Sequence, residues 1–394
     1  MKLPLLSSDL NQEFKLHVAK VREKMLAAGA DAIILSSSAN LFYLTGGVFR
    51  GYVYIPAVAE PAIFIIPPGK PAGDRQIAIR KPEQIPATFA ELEIPMPEKL
   101  AVETDDLSWQ EVERVRKVFA DAEMVNGTAI MRAARITKTD YELEKMREDG
   151  RRHTAVYAQV KHCYAEDMTD LEFQIEIEHI LRKEGCLGFL RTAGSRMEIN
   201  LGSVLAGDNA DAPSPYDFSM GGAGYHSSLP VGACGMIMKP GMAVMVDMNG
   251  GFNGYQTDLT RCWSVGDVSE LAQRAHQCSI DIMRDLESFG VPGAEIGEMY
   301  RRAVAIAEKT GLKDYFMGHK HKVAFIGHGV GIELNEQPVI MERNKQPLEE
   351  GMTLAIEPKF VIPGVGAVGI ENTYVVRPNG LENLTPYEES IQQL

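Results

Sequence analysis

Thr353-Leu354-Ala355-Ile356-Glu357-Pro358-Lys359-Phe360-Val361 is a β-type apolar run with an acid inside it. Ala367-Val368-Gly369-Ile370-Glu371-Asn372-Thr373-Tyr374-Val375-Val376 is a second one. Pro363-Gly364 lies between them and marks a turn. A hairpin centred on Gly364 sets Glu357 opposite Glu371. Like charges opposed on neighbouring strands repel, and burial makes the repulsion worse. A bound cation is the simplest remedy.

The same pattern occurs upstream. Ala243-Val244-Met245-Val246-Asp247-Met248 leads into the turn cluster Gly250-Gly251-Phe252-Asn253-Gly254-Tyr255. Gln256-Thr257-Asp258-Leu259-Thr260-Arg261-Cys262-Trp263 follows. A turn over Gly251–Gly254 predicts Asp247 directly opposite Asp258, with Cβ atoms ~4.5–5.5 Å apart. A single acid in a strand is ordinarily a solvated face or a lone ion pair. Two opposed pairs inside apolar strands are harder to explain that way. A fifth candidate is His328 in Phe325-Ile326-Gly327-His328-Gly329-Val330-Gly331, where flanking glycines permit close approach.

Four carboxylates and one imidazole match two divalent cations in charge. Oxygen-rich ligands with one nitrogen suit manganese, cobalt, iron or zinc, and ligand type does not choose among them; manganese is the expectation adopted. Paired metals activate water and polarise a carbonyl, so the chemistry implied is metal-assisted hydrolysis.

The whole chain bounds this reading. Its 394 residues predict two or three domains at roughly 100–200 residues each. With 45% hydrophobic and 24% charged residues, it has the balance of a globular protein and not of a disordered one. A net charge of −14 gains nothing from phosphate counterion release, which argues against a nucleic-acid partner. No apolar stretch reaches the ~18 residues of a membrane helix. The segment Met1-Lys2-Leu3-Pro4-Leu5-Leu6 lacks the apolar core of a secretory signal. Five cysteines without a Cys-x-x-Cys pair read as reduced thiols in the cytoplasm.

The first third reads as α/β. Apolar residues at 14, 18, 21, 25 and 26 form a helical stripe that Gly29 ends. Short apolar strands are expected at 31–35, 52–55, 62–66 and 100–102, and prolines between Pro56 and Pro97 predict edge strands and turns. A domain boundary is expected near residue 135, giving 1–135 and 136–394. The second part reads as α+β, with helices at 140–163, 170–184, 268–289 and 295–309. Capping boxes are expected at Ser108 and Thr169.

The pattern resembles the pita-bread metallopeptidase family of Xaa-Pro aminopeptidases and Xaa-Pro dipeptidases. Ala39-Asn40-Leu41-Phe42-Tyr43-Leu44-Thr45-Gly46 is similar to a signature of the family's creatinase-like N-terminal α/β domain. Arg135-Ile136-Thr137-Lys138-Thr139 with Glu142-Leu143 is similar to the start of its catalytic domain. The resemblance implies that Asp247, Asp258, His328, Glu357 and Glu371 ligate two metals. It implies a bridging hydroxide as nucleophile, Glu357 as proton relay to the leaving amine, a peptide substrate and a homodimer.

Three departures affect the substrate side. Asn335-Glu336-Gln337-Pro338 stands where the family reads His-Glu-x-Pro, which makes Asn335 a hydrogen-bond donor to substrate and not a proton shuttle. Gly369 replaces the Arg of Arg-Ile-Glu-Asp, removing an orienting cation. His226 is the only candidate for a substrate-contacting His ahead of Asp247. The substrate could therefore be a small non-peptide amide or amidine, as in creatinase and ectoine-hydrolase relatives. A non-catalytic binding protein on the same fold is the remaining alternative.

Several other motifs carry less. Gly364-Val365-Gly366-Ala367-Val368-Gly369 matches GxGxxG, but a β run follows it where a dinucleotide site needs a helix. His319-Lys320-His321 reads as a basic loop, and Cys262 as strand packing.

Overall fold

The computed structural model describes residues 8–72, 76–194, 197–216 and 220–394. The chain divides into two compact units, Met1–Arg135 and Ile136–Leu394.

The first unit is built on a mixed six-stranded sheet. Its strand order is Gln76–Ala78, Ala62–Ile65, Gly51–Pro56, Ala32–Leu35, Lys99–Val102, Glu123–Asn126. The central strands Ala32–Leu35 and Ala62–Ile65 are buried at every position, as continuous apolar runs require. The helix Ser8–Ala27 ends at Gly29, whose φ of +74° suits glycine. The Asn40 segment forms the helix Ser38–Thr45, closed by Gly46 at φ +68°. Buried Glu103 accepts from the backbone N–H groups of Ser36 and Ser37 and from Asn40 Nδ2, so this helix is anchored to the sheet. Two edge strands, Gln76–Ala78 and Glu123–Asn126, are short and half-exposed and carry little sequence signal.

In the second unit, a four-stranded sheet runs in the order Gln392–Gln393, Thr257–Ser264, Ala243–Gly250, Gly202–Ala206. A five-stranded antiparallel sheet runs Glu336–Val339, Gly327–Gly329, Thr353–Ile356, Asn372–Arg377, Gly380–Asn383. The hairpin Lys359–Ile362 with Gly366–Gly369 extends from it. The GxGxxG stretch is thus a hairpin turn and strand, with Gly364 at φ +75°. Thr169 and Ser108 close the capping boxes expected of them. The first long helix is Asp140–Tyr157, and the remainder of its expected span is a 3-10 turn at Val160–Cys163.

Alternation along one strand places the site. Val244, Val246 and Met248 pack with Leu259 and Trp263 against the helices Asp140–Tyr157 and Asp170–Lys183. Ala243, Met245 and Cys262 face the other way, toward the helices Glu270–Phe289 and Ile296–Lys309. Successive side chains in a strand point to opposite faces. Asp247, Asp258 and Thr260 therefore share the second face. The strands are pinned from behind by buried Tyr157, which donates to Leu259 O and accepts from Met248 N.

Gly150 lies in the helix Asp140–Tyr157, and a Cβ there would lie 2.0 Å from Leu384 O. Gly→Ala inside a helix ordinarily stabilises by up to about 1 kcal/mol. Gly150→Ala should do the reverse and cost about 1–3 kcal/mol through overpacking. A thermal melt checks the sign, and a raised Tm would contradict the packing described.

Candidate functional site

The first hairpin corrects the expected register. The ladder pairs Asp247 with Thr260 and Asn249 with Asp258, so the two acids sit diagonally and not face to face. The ladder continues only to Gly250 and Thr257, and the connection is longer than a tight turn. Helix Asp140–Tyr157 holds that connection. Asp149 Oδ1 accepts from Phe252 N at 2.9 Å, and Asn253 Nδ2 donates to Lys145 O at 2.8 Å. A slip of two residues leaves the face unchanged, so Asp247 and Asp258 still project together.

The second hairpin has the expected register on both sides of the acids. Ile356 pairs with Asn372 and Lys359 with Gly369. Glu357 and Glu371 fall between the two ladders, where Pro358 interrupts the hydrogen bonding. Glu371 is tied across to the first hairpin: its N–H donates to Thr260 O, and Thr260 Oγ1 donates to its Oε2 at 2.7 Å. Arg261 clamps the same junction, donating to Thr260 O, Glu371 O and Asn372 Oδ1, each at 2.8 Å.

These contacts bring all five expected residues into two groups that share Glu371. Asp258, His328 and Glu371 form one, and Asp247, Glu357 and Glu371 the other, each with ligand atoms within 4.8 Å of one another. His328 Nδ1 lies 3.0 Å from Gly329 O. A carbonyl only accepts, so Nδ1 carries the proton and Nε2 offers its lone pair. Nε2 faces Asp258 Oδ2 at 3.8 Å.

Electrostatics separates the two groups. Burial, then the neighbouring Glu371 and Asp247 carboxylates, pushes Asp258 well above the usual carboxylate range. Among the described residues, no group hydrogen-bonds buried Glu371 Oε1. An orphaned carboxylate oxygen beside an imidazole lone pair and a second carboxylate fits a divalent cation. The other group already holds positive charge. Lys359 Nζ lies 2.8 Å from Asp247 Oδ2, 2.9 Å from Glu357 Oε2 and 2.9 Å from Glu371 Oε2, with its side chain 0% exposed. Burial alone would push the Lys359 ammonium down, but Asp247, Glu357 and Glu371 outweigh it and hold it well above the ordinary lysine value. A second cation at Asp247, Glu357 and Glu371 does not fit around that ammonium.

The sequence reading missed Lys359. It stands two residues after Glu357, and its directly paired neighbour is Gly369. That glycine, at φ +136°, permits a close backbone approach that a side chain would block, since a Cβ would lie only 2.7 Å from Pro358 O. A cation two residues along the same strand from an acid, opposite a glycine, was the available signal. The cation expected at 369 is absent, and one arrives from the partner strand.

The two substrate-side candidates lie apart from this cluster's hydrogen bonds. His226 is exposed in a turn, and its Nδ1 lies 2.8 Å from Ser228 Oγ. Asn335 Oδ1 accepts from Ala193 N at 2.7 Å, fixing a loop backbone. Its neighbour Glu336 forms a buried ion pair with Lys138 at 2.9 Å. His319 and Lys320 both engage Asp211. Cys262 is buried, with its thiol pushed up to about 12 by burial, which suits packing and not nucleophilic attack. All five cysteines are free thiols.

Asp149, at the hairpin connection, is fully buried, and burial pushes it up to about 7 from an ordinary 3.8 against the opposing Phe252 N–H. The folded state then keeps a proton that the unfolded chain releases, so stability should fall as pH rises between these two values. Asp149→Asn removes that dependence. Melts of both proteins across this range should show the variant gaining on the wild type by on the order of a few kcal/mol toward neutral pH. Parallel curves would contradict the assignment.

Comparison with known proteins agrees with this geometry. Residues 144–378 match the model of metallopeptidase family M24, and residues 17–137 match that of the creatinase/prolidase N-terminal domain. The chain is 25% identical over 381 residues to an Xaa-Pro dipeptidase of Pyrococcus horikoshii, covering 95% of this chain and 98% of that one. Its fold is similar to that of an Xaa-Pro dipeptidase from Bacillus anthracis, with a TM-score of 0.80 at 21% identity over 97% of this chain and 100% of the other. The prolidase of Pyrococcus horikoshii gives a TM-score of 0.75 at 21% identity over 95% and 99%. Both units thus have the creatinase-like and pita-bread folds expected of them, and the chain belongs to metallopeptidase family M24.

Proposed function

We propose that this protein is a metal-dependent peptidase that cleaves the amide bond of an Xaa-Pro peptide, as an aminopeptidase or dipeptidase. The observation that carries the reading is the convergence of Asp258, His328 and Glu371, with Glu371 Oε1 buried and without a hydrogen-bond partner among the described residues. Asp258, His328 and Glu371 would hold the ion, with manganese the expectation adopted. When bound, it supplies an activated water and a polarised carbonyl. Thr260 and Arg261 fix Glu371 from its other side. Glu357 is the general base and acid. Lys359 occupies its Oε2, so Oε1 takes the proton from water and delivers it to the leaving amine.

The substrate side leaves a second reading with an observation behind it. His226 is exposed in its own turn, and Asn335 Oδ1 is engaged with a loop N–H. Neither hydrogen-bonds to the acid cluster among the described residues, and a small amide is kept as the alternative substrate. Among the described residues no helix is long and apolar enough to cross a membrane. With five free thiols, a cytoplasmic homodimer is the setting we assign.

Chelation should abolish hydrolysis of Xaa-Pro peptides and manganese should restore it. Asp258→Ala should lose activity beyond rescue, and Glu357→Gln should lower kcat by about 10²–10⁴. Activity surviving both chelation and Asp258→Ala would sink the metal reading. A panel of Xaa-Pro dipeptides, longer peptides, non-proline dipeptides and cyclic or amidine amides decides the substrate: cleavage confined to the bond before proline supports the proposal, and turnover of small amides alone replaces it with the second reading.

A further inference from the structure

The expected pair of metals meets an obstacle within the chain itself. Three of the four carboxylates converge on one ammonium group. Asp247 Oδ2, Glu357 Oε2 and Glu371 Oε2 lie 2.8, 2.9 and 2.9 Å from Lys359 Nζ. These distances are full charge-assisted hydrogen bonds, and they use the three protons that an ammonium offers. A metal ligated by the same three carboxylates would have to sit where the nitrogen is.

The fit is built into the backbone. Lys359 begins the strand Lys359–Ile362, two residues beyond Glu357, and pairs with Gly369. Gly369 at φ +136° lets the Lys359 backbone approach closely, because a Cβ there would lie 2.7 Å from Pro358 O and 3.0 Å from Lys359 Cα. Lys359 is 0% exposed, so its ammonium has no water to turn to. Withdrawing it would leave three carboxylates unmet and require another cation in its place.

Asp247, Asp258, Glu357 and Glu371 bring four negative charges, and the one ammonium of Lys359 is shared among three of them. Asp258 and His328 lie outside the reach of that ammonium's hydrogen bonds, and among the described residues Glu371 Oε1, on the carboxylate the two groups share, has no hydrogen-bond partner.

We propose that Lys359 is the resident cation of one half of this centre, and that the protein takes one divalent ion, at Asp258, His328 and Glu371. This rests on the metal-hydrolase reading of the same site. Lys359 then does a second metal's electrostatic work: it holds Asp247, Glu357 and Glu371 together and orients Glu357. It is a positioning residue and does not ligate.

Metal content tests it apart from activity. The full-length protein is stripped with chelator, loaded with manganese, and measured by elemental analysis and electron paramagnetic resonance. One manganese per chain, with the six-line signal of an isolated ion, is the expected result. Two per chain with a coupled-pair signal would overturn the inference and leave the metal-hydrolase reading standing. No bound manganese would instead overturn that reading, and the inference with it. Lys359→Ala should bind two manganese ions per chain. Its Tm should fall in chelator and recover with manganese by more than the wild type's does. A folded Lys359→Ala that still takes one ion would overturn the claim that Lys359 excludes the second. If that variant does not fold, the wild-type count decides alone.

Discussion

Four carboxylates buried beside one another must be met by positive charge, and the second unit is organised around that demand. Two antiparallel hairpins deliver the acids, and Thr260 and Arg261 stitch the hairpins together. Lys359 answers three of the acids from within the chain. The fourth, Asp258, faces the His328 Nε2 lone pair, and a divalent ion held by both would supply the charge it lacks. Without these partners, like charges in a low-dielectric interior would repel one another and protonate. Burial pushes Asp258, which the ammonium does not reach by a hydrogen bond, well above its ordinary range, and raises Asp247 as well although Lys359 opposes it.

The helices supply the rigidity that such a cluster needs. Those on one side pack on Val244, Val246 and Met248, and those on the other on Met245 and Cys262. The acid-bearing strands are thus held between two apolar layers, and the acids enter on one face only. Asp149 and Tyr157, both on the helix Asp140–Tyr157, reach over to grip the connection and the back of these strands. The site's geometry is therefore set by contacts from elements distant in the chain, which is how a scaffold holds ligands within narrow tolerances.

Much of this was legible in the sequence, for physical reasons that can be named. The second hairpin's register followed from Gly364, because a left-handed residue in a short turn fixes which residues oppose. The first hairpin's register did not follow, because its long connection is shaped by Asp149 and Lys145 from a distant helix. The strand period of two preserved the shared face despite the error. Lys359 escaped notice because a lysine at a strand start is ordinarily solvated. Only the three-dimensional convergence of Asp247, Glu357 and Glu371 shows what its charge meets. His226 and Asn335 were proposed from position relative to a motif. Their hydrogen-bond partners, Ser228 in the same turn and Ala193 in a loop distant in the chain, are contacts that no spacing rule anticipates.

A centre with one metal and one ammonium divides its duties differently from a centre with two metals. On the proposed reading, Asp258, His328 and Glu371 would hold the ion and carry the activation chemistry, and Lys359 with Asp247 and Glu357 would carry orientation and proton transfer. The most direct measurement is a crystal structure of manganese-loaded protein, with anomalous differences recorded at the manganese edge. The account predicts one peak, between Asp258, His328 Nε2 and Glu371 Oε1, with Lys359 Nζ still bonded to its three carboxylates. A second peak among Asp247, Glu357 and Glu371, with Lys359 swung away, would contradict it.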